Sequence, residues 1–322
     1  MNFISIVRRT EIGFLKFFLI VGRFFASLYY RVKRKVGPNW RSYLKTTLMA
    51  IVILYVIGAV VFGVRLYKQK RFEKIDLIAS YVYPFPVAHA GRSFVFDRQL
   101  QIWVNSSKKF ATKNGVEAPP DLAPKILTEL TNYALSSQEA DLLNVKLTQK
   151  DIDEKFDLSI EGIGSRDQAA DFIKQNYGLS LNQFKRMITP MVLVEKLRDE
   201  QFVSIKARHI LVKDEGKSKE LLQKIKDGAK FEDVAKDNSE DQNSKDAGGL
   251  LAGGEFLFRD SGLIAEVEDA LFKLKAGEIS EPVKSEFGWH ILKAEERKGT
   301  IDLKMDDWLK SLQGKYPVNS WI

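Results

Sequence analysis

The most constraining feature of this sequence is an uninterrupted run of nineteen uncharged residues, Thr46 to Val64. At a helical rise of about 1.5 Å per residue the run is about 28 Å long, close to the ~30 Å hydrocarbon core of a bilayer. We therefore predict a transmembrane helix over residues 46–64. A cleaved export signal explains the run less well, because forty-five residues precede it.

Positive charge is concentrated on the N-terminal side of this helix. Residues 1–45 hold ten Lys and Arg against the single acid Glu11, and the whole chain carries a net charge of +8. Because basic residues favour the cytoplasmic side of a span, we expect a single-pass protein of the cytoplasmic membrane with a cytoplasmic N-terminus and its later domains outside. A basic segment beside a span indicates topology, so nucleic acid is not an expected partner, whereas the lipid bilayer is.

A second apolar stretch, residues 12–30, lies within this basic segment. Arg9, Lys16 and Arg23 recur every seven residues and would form one basic stripe on a helix. That pattern is typical of a helix lying on an anionic membrane surface. Insertion of residues 12–30 into the membrane stays open as the alternative, and residues 1–45 are interpreted as a cytoplasmic or interfacial segment.

The next part of the chain is predicted to be a linker over residues 65–82 and a helical region over residues 83–201. Apolar residues at helical spacing support the helices, as do two capping boxes, Ser165 with Gln168 and Ser180 with Gln183. The region resembles the N-terminal chaperone region of the SurA and PrsA type of foldase. The resembling segments are Ala88-His89-Ala90-Gly91, Leu147 to Asp153, and Gly178 to Phe184.

Residues 202–299 change to alternating strand patterns with short helices between them. In Ala207 to Val212 alternation places His209 and Leu211 on one face of a strand. Near the end, Phe287 to Leu292 is a second such strand, with His290 and Leu292 on one face. Each strand is therefore predicted to present one histidine on an otherwise apolar face.

These elements, in this order, resemble the parvulin family of peptidyl-prolyl cis/trans isomerases (the PpiC, or rotamase, type). The segments that carry the resemblance are Ala207 to Val212, Gly228 to Ala235, Ser239-Glu240-Asp241, Gly248-Gly249, Ala270 to Val283, and Phe287 to Ile291. The resemblance implies a four-stranded antiparallel sheet with surrounding helices. The expected fold class is therefore α+β, with a transmembrane helix, a helical chaperone region, a parvulin domain, and a C-terminal helix and tail over residues 300–322.

The resemblance also implies which residues form the site. His209, Asp241 and His290 match the polar centre of the family, where they would organise a hydrogen-bond network. The expected substrate-binding wall consists of Leu251, Leu263, Val267 and Phe287. The family usually has Met where Leu263 stands and Phe where Val267 stands.

Isomerisation about a prolyl bond requires no nucleophile, and we expect neither a metal nor a cofactor. The chain has no cysteine, and the two histidines do not form a ligand pair on one element. The predicted function is isomerase and chaperone for exported proteins, acting at the outer face of the cytoplasmic membrane on unfolded or nascent polypeptides with X-Pro bonds. The alternative is a membrane-tethered chaperone whose parvulin fold is inactive and serves only to bind clients.

Overall fold

A computed structural model of the chain describes residues 40–322. The predictions for residues 1–39, including the surface helix over 12–30, lie outside the described residues. Contacts divide the rest into two compact units. The first comprises residues 40–135, 147–192 and 317–322, and the second comprises residues 136–146 and 193–316.

The first unit begins with helix α1 (Trp40–Tyr67), which contains the predicted span. Within residues 40–322 it is the one helix long and apolar enough to cross a membrane, over Leu44–Tyr67. A short second helix follows, α2 (Lys74–Ser80). The prediction of a helix over residues 46–64 is confirmed, and its N-terminal turns extend beyond the uncharged run.

A small sheet follows where only helices were predicted. Strands β1 (Pro86–Ala90) and β2 (Ser93–Phe96) form an antiparallel hairpin, and the far end of the chain adds a third strand, Val318–Ser320, on the other side of β1. Ala88 thus pairs with both Val95 and Ser320. Local periodicity could not indicate this sheet, because one of its strands comes from the C-terminus.

Five helices complete this part of the chain: α3 (Asp97–Lys113), α4 (Leu122–Leu142), α5 (Gln149–Ile160), α6 (Arg166–Tyr177) and α7 (Leu181–Gln201). The predicted capping box at the start of α6 is confirmed, since Ser165 and Gln168 exchange side-chain and backbone hydrogen bonds. Gly178 ends α6 in the left-handed conformation, with φ of 75°. The buried faces of α3 and α4 pack with the small sheet around Val87, Leu100 and Leu130.

The second unit is built on a three-stranded sheet. The elements from residue 204 onward are, in chain order, β3 (Ser204–Val212), α8 (Glu215–Lys226), α9 (Phe231–Asn238), α10 (Ala265–Leu271), β4 (Val283–Ser285), β5 (Gly288–Lys298) and α11 (Met305–Lys315). The strand order in the sheet is β3-β5-β4, and every pair is antiparallel. Helices α8 and α9 pack on the sheet face that carries Ile210 and Ile291. Helix α10 packs on the opposite face, which carries Ala207 and Leu292.

The prediction of a four-stranded sheet is wrong, because this sheet has three strands. The segment that lies along the free edge of β3 makes only single bridges to it, from Leu250 to Arg208 and from Leu257 to Ile205. Between those bridges, Ala252 and Gly253 have positive φ angles of 49° and 63°. A chain that turns in this way cannot maintain the extended ladder that a strand requires.

The C-terminal helix α11 belongs to the second unit. Trp308 is buried and packs edge-on against Phe202, with ring centroids 5.3 Å apart. The Lys315 ammonium lies 2.6 Å from a carboxylate oxygen of Glu139, which is part of the same unit. After Tyr316 the chain passes to the first unit, where strand β6 (Val318–Ser320) joins the small sheet.

Candidate functional site

The sheet of the second unit brings two histidines together. In the antiparallel register of β3 and β5, His209 pairs with Leu292 and Leu211 pairs with His290, so the two histidines are diagonal neighbours on one face. Their rings stack, with centroids 5.6 Å apart and planes inclined by 24°. Both are buried, at 8% and 4% exposure. The Nδ1 atoms are 3.4 Å apart, at the long limit of a hydrogen bond.

A loop after α9 supplies polar partners for His209. Its Nε2 lies 2.8 Å from Asp241 Oδ2 and 3.0 Å from the Ser244 hydroxyl, which itself donates to the Asp241 carboxylate. The Ser239 hydroxyl fixes the start of this loop, since it accepts from the backbone N–H groups of Leu211 and Asp241. The carboxylate is therefore held next to the imidazole by the edge of the sheet itself.

The turn between β4 and β5 supplies the partner of His290. The Ser285 hydroxyl lies 2.8 Å from His290 Nε2 and accepts a hydrogen bond of 3.0 Å from the backbone N–H of Phe287. Ser244 and Ser285 were not predicted from the sequence. Serines in polar loops carry no periodic signal, and only the turn geometry places these two at the ends of the histidine pair.

The hydrogen bonds restrict where the protons of the site lie. The Asp241 carboxylate accepts from His209 Nε2–H, and one proton lies between the two Nδ1 atoms. His290 Nε2 is hydrogen-bonded to the Ser285 hydroxyl. The two imidazoles therefore belong to one continuous network from Asp241 to Ser285.

The electrostatics favour a neutral His290. Burial and then repulsion by His209 lower the pKa of His290 from its usual 6.5 to about 4. Burial tends to raise the pKa of Asp241, but hydrogen bonds from Ser244 and His209 outweigh it and hold that pKa below its usual value. At neutral pH the site therefore holds the Asp241 carboxylate and an uncharged His290.

A close backbone approach keeps the loop against β3. The backbone N–H of His209 donates to the Gly249 carbonyl at 2.8 Å. A Cβ at Gly249 would lie 2.2 Å from the His209 carbonyl oxygen, and φ there is 78°. Only glycine fits both demands. On the other sheet face, Arg208 donates to the carbonyl oxygens of Ala247 and Gly248, at 2.7 and 3.0 Å.

Three of the four residues predicted to bind substrate share the face of the histidines. Leu251 and Leu263 are partly buried against the apolar cluster that contains Val267. Val267 itself is 3% exposed, so its side chain offers a ligand little surface. Phe287 is 50% exposed in the turn beside Ser285 and is not part of that cluster. Of the four residues, Leu251, Leu263 and Phe287 therefore keep apolar surface accessible, and Val267 keeps almost none.

Within the described residues 40–322, no group of three or more His, Cys, Asp and Glu side chains is arranged to hold a metal ion. The polar side chains of the site are instead directed at one another. What the site can do chemically is to surround a bound group with fixed hydrogen-bonding atoms on an apolar surface. Such a site can favour one geometry of its ligand over another without making or breaking a covalent bond.

The chain was compared with known proteins. The family profile described as PPIC-type PPIase domain (rotamase) matches residues 209–296. Foldase protein PrsA 1 of Bacillus cereus is 33% identical over 208 residues, which are 60% of this chain and 70% of that protein. Foldase protein PrsA 2 of Bacillus anthracis is 35% identical over 191 residues, 59% of this chain and 62% of that protein.

Solved structures give a similar result. A crystal structure of the peptidylprolyl isomerase PrsA from Bacillus anthracis is 30% identical to this chain, covering 59% of this chain and 86% of that one with a TM-score of 0.30. The solution structure of NmPin, the parvulin of Nitrosopumilus maritimus, is 41% identical over 30% of this chain and 96% of its own, with a TM-score of 0.26. At these scores the relationship rests on the sequence matches.

Proposed function

The chain belongs to the PrsA family of foldases and carries a peptidyl-prolyl cis/trans isomerase domain of the PPIC type, and we propose that it is a membrane-tethered folding factor for exported proteins. Its substrates would be unfolded or nascent polypeptides with X-Pro bonds. His209, Asp241 and His290 would form the polar centre of the isomerase site. The proposed wall of the proline pocket consists of Leu251, Leu263 and Phe287, with Val267 buried in the cluster against which the two leucines pack.

The observation that carries this proposal is the buried, hydrogen-bonded histidine pair on an apolar sheet face. Rotation about an amide bond has a barrier of about 18–20 kcal/mol, because resonance favours the planar forms. A catalyst lowers that barrier by binding the twisted amide better than either planar one. Leu263 and Phe287 would hold the proline ring. The hydrogen-bonded side chains of the site would favour the orientation that the carbonyl group has in the twisted bond. No proton has to move.

Exchange NMR on one proline-containing peptide tests the proposal. The parent chain should raise the rate of cis/trans exchange above the uncatalysed rate. Replacing His290 or Asp241 by Ala should reduce that increase, whereas His89→Ala should leave it unchanged because His89 lies on β1 in the first unit. A parent chain that adds nothing to the uncatalysed rate would favour the alternative, a parvulin fold that only binds clients.

Helix α1 is proposed as the anchor, in a single pass with the N-terminus in the cytoplasm. The asymmetry of basic residues around the span supports this direction. Protease added to spheroplasts should then digest residues 80–322. Protection of that region in intact spheroplasts, together with digestion after lysis, would contradict the orientation.

The chaperone role is proposed for the first unit, on the evidence of an aromatic cluster on its small sheet. Phe94 is 54% exposed and stacks with Trp321 at a centroid distance of 6.4 Å, with Phe96 next to it. Exposed aromatic side chains that lie together are the surface to which unfolded apolar segments bind. Phe94→Ser with Trp321→Ser should reduce the suppression of client aggregation while prolyl isomerisation of a short peptide is retained. Unchanged suppression would move the client surface elsewhere.

A further inference from the structure

The segment after helix α1 turns back along that helix. Asp76, near the start of α2, accepts a hydrogen bond of 2.9 Å from Arg65 near the end of α1. Further on, the Tyr83 ring packs against the rings of Tyr55 and Phe62, with centroids 5.0 and 5.7 Å apart. Residues 75–84 therefore form a hairpin, here called the return hairpin, which runs antiparallel to α1.

The depth of the return hairpin follows from the length of the span, and this step rests on the proposed membrane anchor. The nineteen uncharged residues 46–64 are about 28 Å long, so all of them are needed to cross a core of ~30 Å. A Cβ at Gly58 would meet the Tyr83 hydroxyl at 2.0 Å, so the two residues are in direct contact. Gly58 is seven residues from Arg65, about 10 Å below the end of the span.

The surface of the return hairpin has the chemistry that this depth requires. Its exposed side chains are all uncharged, namely Ile75, Ile78, Tyr81, Val82 and Pro84. Its one acid, Asp76, is buried and paired with Arg65. On the side of α1 not covered by the hairpin, Val60, Val61 and Val64 are also exposed. At this level α1 and the return hairpin therefore expose apolar side chains. The guanidinium of Arg98, on α3, lies over the Tyr81 ring, 3.8 Å from its centroid, and an arginine side chain is long enough to extend toward lipid headgroups.

The backbone of the turn is also provided with partners, as a low-dielectric environment demands. The N–H groups of Val82 and Tyr83 both donate to the Ala79 carbonyl, at 2.9 and 2.8 Å. The Val82 carbonyl accepts from the Tyr55 hydroxyl at 3.4 Å. The Phe85 N–H donates to the Tyr83 carbonyl at 3.0 Å.

We propose that the return hairpin is a re-entrant membrane element, inserted into the outer leaflet beside α1 with Ile78 and Val82 in contact with lipid acyl chains. The first unit would then be fixed to the bilayer by two elements instead of one. A single helix would leave it free to rotate about the helix axis. The return hairpin would prevent this rotation, because it attaches the unit to the bilayer at a second point.

Site-specific fluorescence tests this, and the absence of cysteine from the chain makes single labels simple. The full chain with Val82→Cys, Leu54→Cys or Val116→Cys would carry an environment-sensitive dye, in vesicles of phosphatidylcholine and phosphatidylglycerol containing lipids with acyl-chain nitroxides. Leu54 lies on the span, and Val116 is an exposed residue after α3. We expect the dye at position 82 to be blue-shifted and quenched like that at 54, and the dye at 116 to resemble one in water.

The possible results separate the two proposals. Quenching at 54 with none at 82 would overturn the re-entrant hairpin and leave the membrane span intact. No quenching at either position would overturn both the span and the hairpin. A repeat with Ile78→Cys excludes an effect of the label at 82 alone, since Ile78 is another exposed residue of the hairpin. Water-like emission at 78 as well as at 82 would settle against insertion.

Discussion

The burial of His290 makes a quantitative prediction about stability and pH. In the unfolded chain an imidazole binds a proton at its usual pKa of 6.5, whereas the folded His290 has a pKa of about 4. Burial is the main cause, and the neighbouring His209 adds to it. Between these two values the unfolded state binds more protons than the folded state. Stability should therefore be fully present above pH 6.5 and be lost as the pH falls toward 4.

The magnitude follows from the size of the shift. One pKa unit corresponds to about 1.4 kcal/mol, so the full shift of His290 amounts to about 3 kcal/mol below pH 4. Lowering the pH from 7.5 to 5 should cost about 2 kcal/mol of unfolding free energy. The contribution of Asp241 does not overlap this pH range. Because its pKa lies below the usual value, the stability that it provides is lost only at lower pH. A loss of 2 kcal/mol is a large part of the stability of a small domain.

Urea unfolding of residues 202–316 at several pH values measures this effect through the fluorescence of Trp289 and Trp308. His290→Gln should lower stability at pH 7.5, because it interrupts the hydrogen-bond network between Ser285 and His209. It should also make the unfolding free energy depend less on pH between 7.5 and 5. NMR titration of the two ring Cε1–H signals in the parent fragment reads the pKa of His290 directly. A pKa near 6.5 for both rings, or equal slopes for parent and variant, would refute the reasoning.

Three further predictions concern packing around the site. Gly249→Ala should lower the free energy of unfolding by about 3 kcal/mol or more and reduce isomerisation, because its Cβ would meet the His209 carbonyl. The control is Gly253→Ala, where a Cβ would meet nothing within 4 Å. Equal losses of stability for the two variants in urea unfolding would contradict this. Val267→Phe should destabilise by about 1–3 kcal/mol by overpacking a buried site, and a thermal midpoint at or above that of the parent would refute it. A fragment of residues 202–299 should be about 3 kcal/mol less stable than one of residues 202–316, because Trp308 covers Phe202. Identical urea midpoints for the two fragments would contradict this.

Local patterns were sufficient where a feature depends on neighbours in sequence. The uncharged run predicted helix α1, and the Ser165 to Gln168 spacing predicted a helix start, because span length and capping are set within a few residues. Strand alternation placed His209 and His290 each on a definite strand face. Whether they meet depends on the register of β3 against β5, which the residues of one strand do not determine; the expected pairing came from the family resemblance.

Features that depend on distant partners or on turn geometry were missed or mistaken. Strand β1 pairs with β2 and also with β6 from the far end of the chain, so the second of these pairings could not be read from residues 86–96. No fourth strand forms along the free edge of β3, because Ala252 and Gly253 in the adjacent segment have positive φ angles. Ser244 and Ser285 entered the site only because turns bring their hydroxyls to the ends of the histidine pair.

The proposed reaction explains why His290 should be neutral rather than charged. A prolyl amide gives up no proton and gains no bond during rotation, so a charge on this buried ring would change the field around the substrate without helping the step. Burial keeps the pKa of His290 near 4. The negative charge of Asp241 is shared with Ser244 and His209. The site can then bind uncharged peptide bonds over a wide pH range, and the lower limit of that range should be the pH at which His290 takes up a proton.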